Sequence, residues 1–555
     1  MQTSPTRPRR RSSQGNAPAA GSEGFFEYRH TAEQRKPREF NRGFLSLLIL
    51  VLSLLAMGLM VLIVLEACTR RPGAAFEAWT APTGMPTLAV ALPSTATPAG
   101  QPTRNPETPV LSPTPDQPHA LPTLRIETKE YTVQSGDGLG MIAARYGISL
   151  QELADANHLG TEDWLQPGQT LLIPAQRPQD TGTGNKIIPD SELVYGPAAS
   201  GFDAVDFTRQ RGGYLALYQG EVDGEQLSGG EIVARVARDY SVNPRLLLAV
   251  LEYQSGWVST SSPDERTRDF PIGFSNPYYK GLYKQLAWSA NQLNRGYYLW
   301  KENAFAAWNL TDGAVVPINP GINAGTAGVQ YLMSLLYERG GWNTAVGEGG
   351  LMATYRDLFG YPFDFAVEPL LPANLTQPDM LLPFEVGASW SFTSGPHGGW
   401  NTGSAWAALD FAPPGEPMGC ALSDAWVTAV APGVITRSDH GAVVQDLDGD
   451  GNEQTGWVVF YMHVDSSERV QVGDLLQAGD RIGHPSCEGG FSTGTHLHIA
   501  RRFNGEWIAA DGDLPFNLSG WISSGTWNEY DGYLSKNGQS IEAWDGQAPE
   551  NQIQR

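Results

Sequence analysis

The sequence predicts a multidomain protein: an N-terminal transmembrane helix, a small βααβ module, a mostly α middle region and an antiparallel all-β C-terminal domain. Three observations predict this. An uncharged apolar run occupies residues 44–65. Between 190 and 380 apolar residues recur at three- and four-residue spacing, the period of a helix face. From about 381 onward short Val- and aromatic-rich segments alternate with Gly, Pro and Asp, the pattern of strands and turns. A chain of 555 residues has room for about two to four domains.

The apolar run FLSLLILVLSLLAMGLMVLIVL is long enough to cross roughly 30 Å of hydrocarbon as a helix, and longer than the core of a secretory signal. Residues 1–43 before it are rich in Arg, which predicts a cytoplasmic tail, one span over 44–66, and everything later outside the cell membrane. LEAC at 65–68 resembles a bacterial lipobox ending on Cys68, although Glu66 fits it poorly. Residues 67–128 are a linker rich in Pro, Thr and Ala that cannot bury a core. Such a stalk reaches about 40 Å as a coil and about 175 Å as stretched polyproline.

Residues 129–175 read as strand (YTVQSGD), helix (LGMIAARYG), helix (SLQELADANHL) and strand (QTLLIP), with Ser149 and Glu152 forming a capping box. YTVQSGDGLGMIAARYGISLQELADAN and LQPGQTLLIP resemble a LysM module along its whole length. The resemblance implies binding to N-acetylglucosamine-containing glycan, usually peptidoglycan.

In the middle region, 190–380, GEIVARVARDY and NPRLLLAVLEYQSGW carry the helical period. The latter, with NPGINAGTAGVQYLMSLLYERGGWNTAV, faintly resembles the lysozyme-like lytic transglycosylases. That family places its catalytic Glu directly before Ser-Gly, where this chain has Gln254 before Ser255 and Gly256. An amide cannot protonate a glycosidic oxygen. Glu252 lies two residues away, about 200° around a helix. The resemblance therefore implies a non-catalytic domain that holds glycan at most.

Chemistry concentrates in the all-β region, 381–540. Six of the nine His, namely His397, His440, His463, His484, His496 and His498, fall in the last third. In THLHIARRF a strand would point His496 and His498 to one face. YMH ends a second strand with His463, and LDF supplies Asp410 in a third. A catalytic zinc takes three protein ligands and a water. Asp410 and His498 give two, and His397, in the Gly-rich stretch GPHGGWNTGS, is the candidate third from a loop. The usual spacing would put the partner His four residues before the Asp, but Trp406 stands there and is expected as a packing side chain on the strand that leads to Asp410.

HGGWNTGSAWAALDF, YMH and THLH together resemble the lysostaphin-type zinc peptidases that cut peptidoglycan cross-links, and within them the beta-lytic and staphylolysin branch. Carried over by position, the resemblance implies Zn2+ held by His397, Asp410 and His498, with His463 and His496 as the catalytic histidines. It also implies an assisting phenol near the end of the chain, Tyr530 or its rival Tyr533. His440 and His484 match no ligand position and read as surface histidines near turns.

DLDGDGNEQ sets Asp446, Asp448 and Asp450 at alternate positions before Gly451, resembling the first half of an EF-hand loop. Ca2+ is thus a second candidate ion, although Trp457 stands where the loop wants Glu, and a polar hairpin tip explains the stretch equally well. Cys420 and Cys487 flank the histidines and either pair or remain buried thiols. A net charge of -22 excludes a nucleic-acid partner as the simple reading. The expected function is a peptidoglycan-binding zinc metalloendopeptidase; the alternative is an inactive wall-bound regulator of another hydrolase.

Overall fold

A computed structural model describes residues 127–134, 137–161, 164–175, 181–415 and 419–555. The expected tail, membrane span, Cys68 and nearly all of the linker lie outside these residues. Among the described residues no helix is long and apolar enough to cross a membrane.

The small module has the expected βααβ order: β1 (Lys129–Thr132), α1 (Leu139–Arg145), α2 (Leu150–Ala156) and β2 (Thr170–Ile173), with β1 and β2 antiparallel. Ser149 and Glu152 close the capping box at the start of α2. Its core is one cluster around Ile142, Leu153, Leu171 and Ile173. Asn157 ties α2 to β2, donating to the Leu153 and Leu172 carbonyls and accepting from the Leu172 amide.

The middle region is mostly helical. Its principal helices are α3 (Gly229–Tyr240), α4 (Pro244–Ser255), α5 (Leu282–Lys301) and α6 (Ala324–Ser334). Ser228 and Glu231 form a capping box on α3; α4 opens with Asn243 and a Pro and closes on left-handed Gly256. Helices α5 and α6 meet at glycines: a Cβ on Gly296 would stand 2.8 Å from the Gly328 Cα.

The C-terminal region is built on a nine-stranded antiparallel sheet. Its strands are β3 (Ser389–His397), β4 (Ala408–Ala412), β5 (Gly433–Asp439), β6 (Ala442–Asp446), β7 (Trp457–Met462), β8 (Leu475–Leu476), β9 (Leu497–Phe503) and β10 (Gln552–Gln554), in the order β8-β5-β6-β7-β9-β4-β3-β10, with Glu506–Trp507 paired beside β9. The sheet therefore runs past the expected boundary at 540: Gln552 pairs with Ser391. A separate four-stranded sheet spans Asn517–Glu542.

Both faces of the large sheet are buried. On β7, Val458, Phe460 and Met462 join a core shared with the helices, while Val459 and Tyr461 enter a second core around Phe384, Phe392 and Leu518. Two-sided burial accounts for the unbroken apolar run VVFYM, where a one-sided strand would alternate. At the helix–sheet junction Arg437 pairs with Asp239 (2.7 Å) and Glu453 (3.1 Å), and Arg502 pairs with Glu453 (2.7 Å), all four being buried. Glu453→Ala would leave the buried Arg502 without a carboxylate partner and Arg437 with Asp239 alone, and is expected to cost about 3–5 kcal/mol. Urea unfolding measures this; a loss under about 1 kcal/mol would show that the network adds little.

Candidate metal centre

Three neighbouring strands deliver the histidines and the carboxylate to one place. In the register of the sheet His498 on β9 stands opposite Asp410 on β4, and Met462, just before His463, stands opposite His498. On β9, Leu497 and Ile499 point into the second core, so His498 faces the helical side together with Ala500. Asp410 does the same between Leu409 and Phe411. His397 reaches the site differently from the expectation: it ends strand β3 and does not sit in a loop, with β3 bulged against β4 between Ser394 and His397. Trp406 is likewise off the strand. It lies before β4, half-buried, and its carbonyl accepts from the Ala510 amide.

The geometry of the trio is specific. His397 Nε2 and His498 Nδ1 are each 3.2 Å from Asp410 Oδ1, and 3.0 Å from each other. The far nitrogens face carbonyl oxygens, His397 Nδ1 at Gly395 (2.9 Å) and His498 Nε2 at Gly399 (3.1 Å). A carbonyl only accepts, so those nitrogens carry the protons. In the neutral rings the two facing nitrogens are then both lone pairs, turned on a buried carboxylate oxygen that receives no hydrogen bond. Three electron-rich atoms at such short range form a pocket that a cation placed between them would satisfy. Two imidazoles and a carboxylate are a donor set that suits zinc, and the backbone carbonyls supply the outer support that metal-bound histidines need.

His463 and His496 stand beside this trio, their ring centroids 4.5 Å apart. His496 Nε2 is 3.8 Å from Asp410 Oδ2, and its Nδ1 faces the Gly494 carbonyl at 2.7 Å. His463 directs Nδ1 at the Glu488 carbonyl, 3.1 Å away, from a left-handed backbone at φ 65°. Burial, followed by the neighbouring imidazoles, pushes His463 down to about 3, so its ring is neutral. Tyr530 lays its ring on His397, with centroids 4.7 Å apart, and backbone bonds to Gly395 and Pro396 hold it there. Tyr533 lies on the strand Gly532–Lys536 of the smaller sheet, and of the two phenols Tyr530 is the one stacked on a site residue.

The other candidates fall elsewhere. His440 faces Glu225 and Asp439; His484 packs on Trp426 and faces Glu468. Asp446, Asp448 and Asp450 approach one another, but Asp446 accepts from the amides of Asp448, Gly449 and Gly451, and Asp450 from Thr455 and the Asn452 amide. These bonds close a hairpin tip between β6 and β7, and the calcium expectation finds no support in them. The residues that sequence reasoning missed are Gly395, Gly399, Glu488 and Gly494, which act through backbone carbonyls; only the glycines around His397 hinted at close backbone approach.

Cys420 and Cys487 do form a disulfide, with Cα atoms 5.6 Å apart and a separation of 67 positions in sequence. It ties the loop that supplies the Glu488 carbonyl to the loop whose Gly419 carbonyl accepts from Thr495. Cys420→Ser is expected to lower stability by about 4 kcal/mol through the longer unfolded loop. Denaturation with and without reductant checks this, and an unchanged midpoint would refute it.

In the middle region Gln254 accepts from the Tyr337 hydroxyl, and the Glu252 carboxylate is engaged by the Val258 and Ser259 amides and the Ser259 hydroxyl.

Comparison with known proteins gives three family matches: "LysM domain" over residues 131–174, "LasA, N-terminal domain" over 186–373, and "Peptidase family M23" over 414–510. The middle region thus matches a LasA domain, and the expected kinship with lysozyme-like transglycosylases finds no support. The M23 match takes in His463, His496 and His498 but begins after His397 and Asp410. Protease LasA of Pseudomonas aeruginosa is 29% identical over 349 residues, 58% of this chain and 75% of that protein. Beta-lytic metalloendopeptidase of Lysobacter enzymogenes is 30% identical over 172 residues, 28% of this chain and 89% of that protein. A solved structure titled "A Novel M23 Metalloprotease Pseudoalterin from Deep-sea" is 28% identical, covering 31% of this chain and 97% of its own, with a TM-score of 0.25.

Proposed function

This chain belongs to peptidase family M23, and from that premise we propose that it is a zinc metalloendopeptidase that hydrolyses the peptide cross-links of peptidoglycan. The observation that carries the proposal is the convergence of His397 Nε2 and His498 Nδ1 on the unpartnered Asp410 Oδ1. Zinc held there would polarise the scissile carbonyl and bring the pKa of water towards neutrality.

The remaining chemistry belongs to the chain's own groups. With Nδ1–H held by the Glu488 carbonyl, His463 offers Nε2 as a proton acceptor; His496, held by the Gly494 carbonyl, offers its own Nε2 beside Asp410. One imidazole takes the proton of the attacking water. Its neighbour, once protonated, faces the tetrahedral oxyanion or the departing amine. Tyr530, stacked on His397, adds a phenol at the rim of the site.

The LysM match supports a place on the wall polymer, with the module gripping glycan while the peptidase reaches the stem peptides. The same reading anchors the chain in the cell membrane by residues 44–66 and puts the domains after it on the outer side, as the Arg-rich flank suggests. Mass spectrometry of digested muropeptides tests the reaction. New amino termini are expected. New reducing sugar ends, or intact muropeptides with a rise in another hydrolase's activity, would overturn it.

A further inference from the structure

Two clefts lie on the helical domain, away from the histidine cluster. One, of about 490 Å³, runs past Tyr253, Gln254 and Phe270; the other, of about 520 Å³, past Phe274, Asn276 and Thr311. Both are lined by Gly273 and Ser275, so they are adjacent. Gly273 is at φ +93°, and a Cβ there would face Gln254 Oε1 at 3.8 Å. The left-handed backbone, and not a crowded neighbour, favours glycine at this point. Each cleft alone has the size of an ordinary small-ligand site.

The lining is neutral and mixed. Aromatic rings from Tyr253, Phe270 and Phe274 alternate with amides and hydroxyls. Its charged members, Asp264 and Arg266, are bonded to each other. The Gln254 amide is oriented: the Tyr337 hydroxyl donates to Oε1 at 2.8 Å, and Nε2 then faces the Met333 sulfur at 3.8 Å, a weak acceptor. Half-buried N–H groups with so poor a partner favour a ligand that brings oxygens. A stem peptide, with its carboxylates and ammonium groups, would find only Asp264 and Arg266 as counter-charges here, and these already neutralise each other. A chain of neutral, hydroxyl-rich rings matches both the aromatic faces and the amide donors.

We propose that this pair of adjacent clefts is a second glycan-binding site, which holds the sugar strand while the metal centre meets the peptides attached to it. The proposal rests on the wall-directed reading above and gives the helical domain a ligand of its own.

Hydrogen exchange of the full chain, with and without a hexamer of N-acetylglucosamine, tests it. Protection is expected at 253–256 and 270–277, separately from that at 131–174. Tyr253→Ala and Gln254→Ala should each weaken the first response tenfold or more and leave the second unchanged. Protection confined to 131–174, equal affinity in both variants, or protection by stem peptide alone would overturn the proposal. The hexamer carries no stem peptide, so an inactive peptidase centre would leave these results unaltered and would show only in the muropeptide digest.

Discussion

His397→Ala is expected to release the bound ion and to reduce cross-link cleavage on the order of a thousandfold or more. The size follows from the several kcal/mol that a Lewis acid contributes to a developing oxyanion, each 1.36 kcal/mol being about tenfold in rate. The substitution removes one of the two lone pairs aimed at Asp410 Oδ1 and leaves a His–Asp pair, fewer ligands than the three that hold a catalytic zinc. It also removes the ring on which Tyr530 stacks. His484→Ala serves as the control, because that ring packs on Trp426 and faces Glu468. Zinc content and release of amino termini would be measured on the same preparations, with circular dichroism to establish folding. A folded His397→Ala chain that kept one equivalent of zinc would show that the ion sits elsewhere, and the assignment of the trio would fall with it.

What the sequence disclosed about this site was residue chemistry, and what it hid was backbone. H-x-H on a strand, a His closing another and an Asp in a third could be read because side chains alternate with period two, and the structure sets them together as that period requires. His397 was legible as an imidazole of the right kind but not as the end of a strand. The bulge that carries it past Ser394 is a matter of register, which Gly and Pro in GPH allow but do not specify. The carbonyls of Gly395, Gly399 and Glu488, which set the tautomers, left no trace in residue type.

The same contrast holds for the fold. Both capping boxes, Ser149/Glu152 and Ser228/Glu231, stand at helix starts because each is a local contest between four backbone donors and two side chains. The burial of the sheet on both faces is a long-range fact, which the unbroken apolar run VVFYM reflects but which the strand pattern alone did not announce. The helical region was expected as a neighbouring domain, and its packing on the sheet is known from the structure alone. No local pattern marked the pairing of Gln552–Gln554 with β3 across more than 150 residues, as its register with Ser389–Ser391 shows.

His463→Ala should separate catalysis from metal binding. The ring belongs to none of the three ligand positions, and its Nδ1 is committed to the Glu488 carbonyl, so the zinc content is expected to stay at the wild-type level. Cleavage should nonetheless fall about 10²–10⁴-fold, the contribution of a positioned general acid or base. The position is built for that role: a non-glycine residue held at φ 65° requires its surroundings to impose the conformation. They do so here through the Ser486 amide on the His463 carbonyl and through Glu488, itself fixed by Arg469 and adjacent to the Cys420–Cys487 bridge. His463→Asn would keep a polar side chain but no imidazole nitrogen to accept the proton of the attacking water, and should be nearly as slow. If either variant lost its zinc together with its activity, His463 would be a ligand and the trio would have to be redrawn. If both cleaved at the wild-type rate, the proton transfers would have to pass through His496 alone.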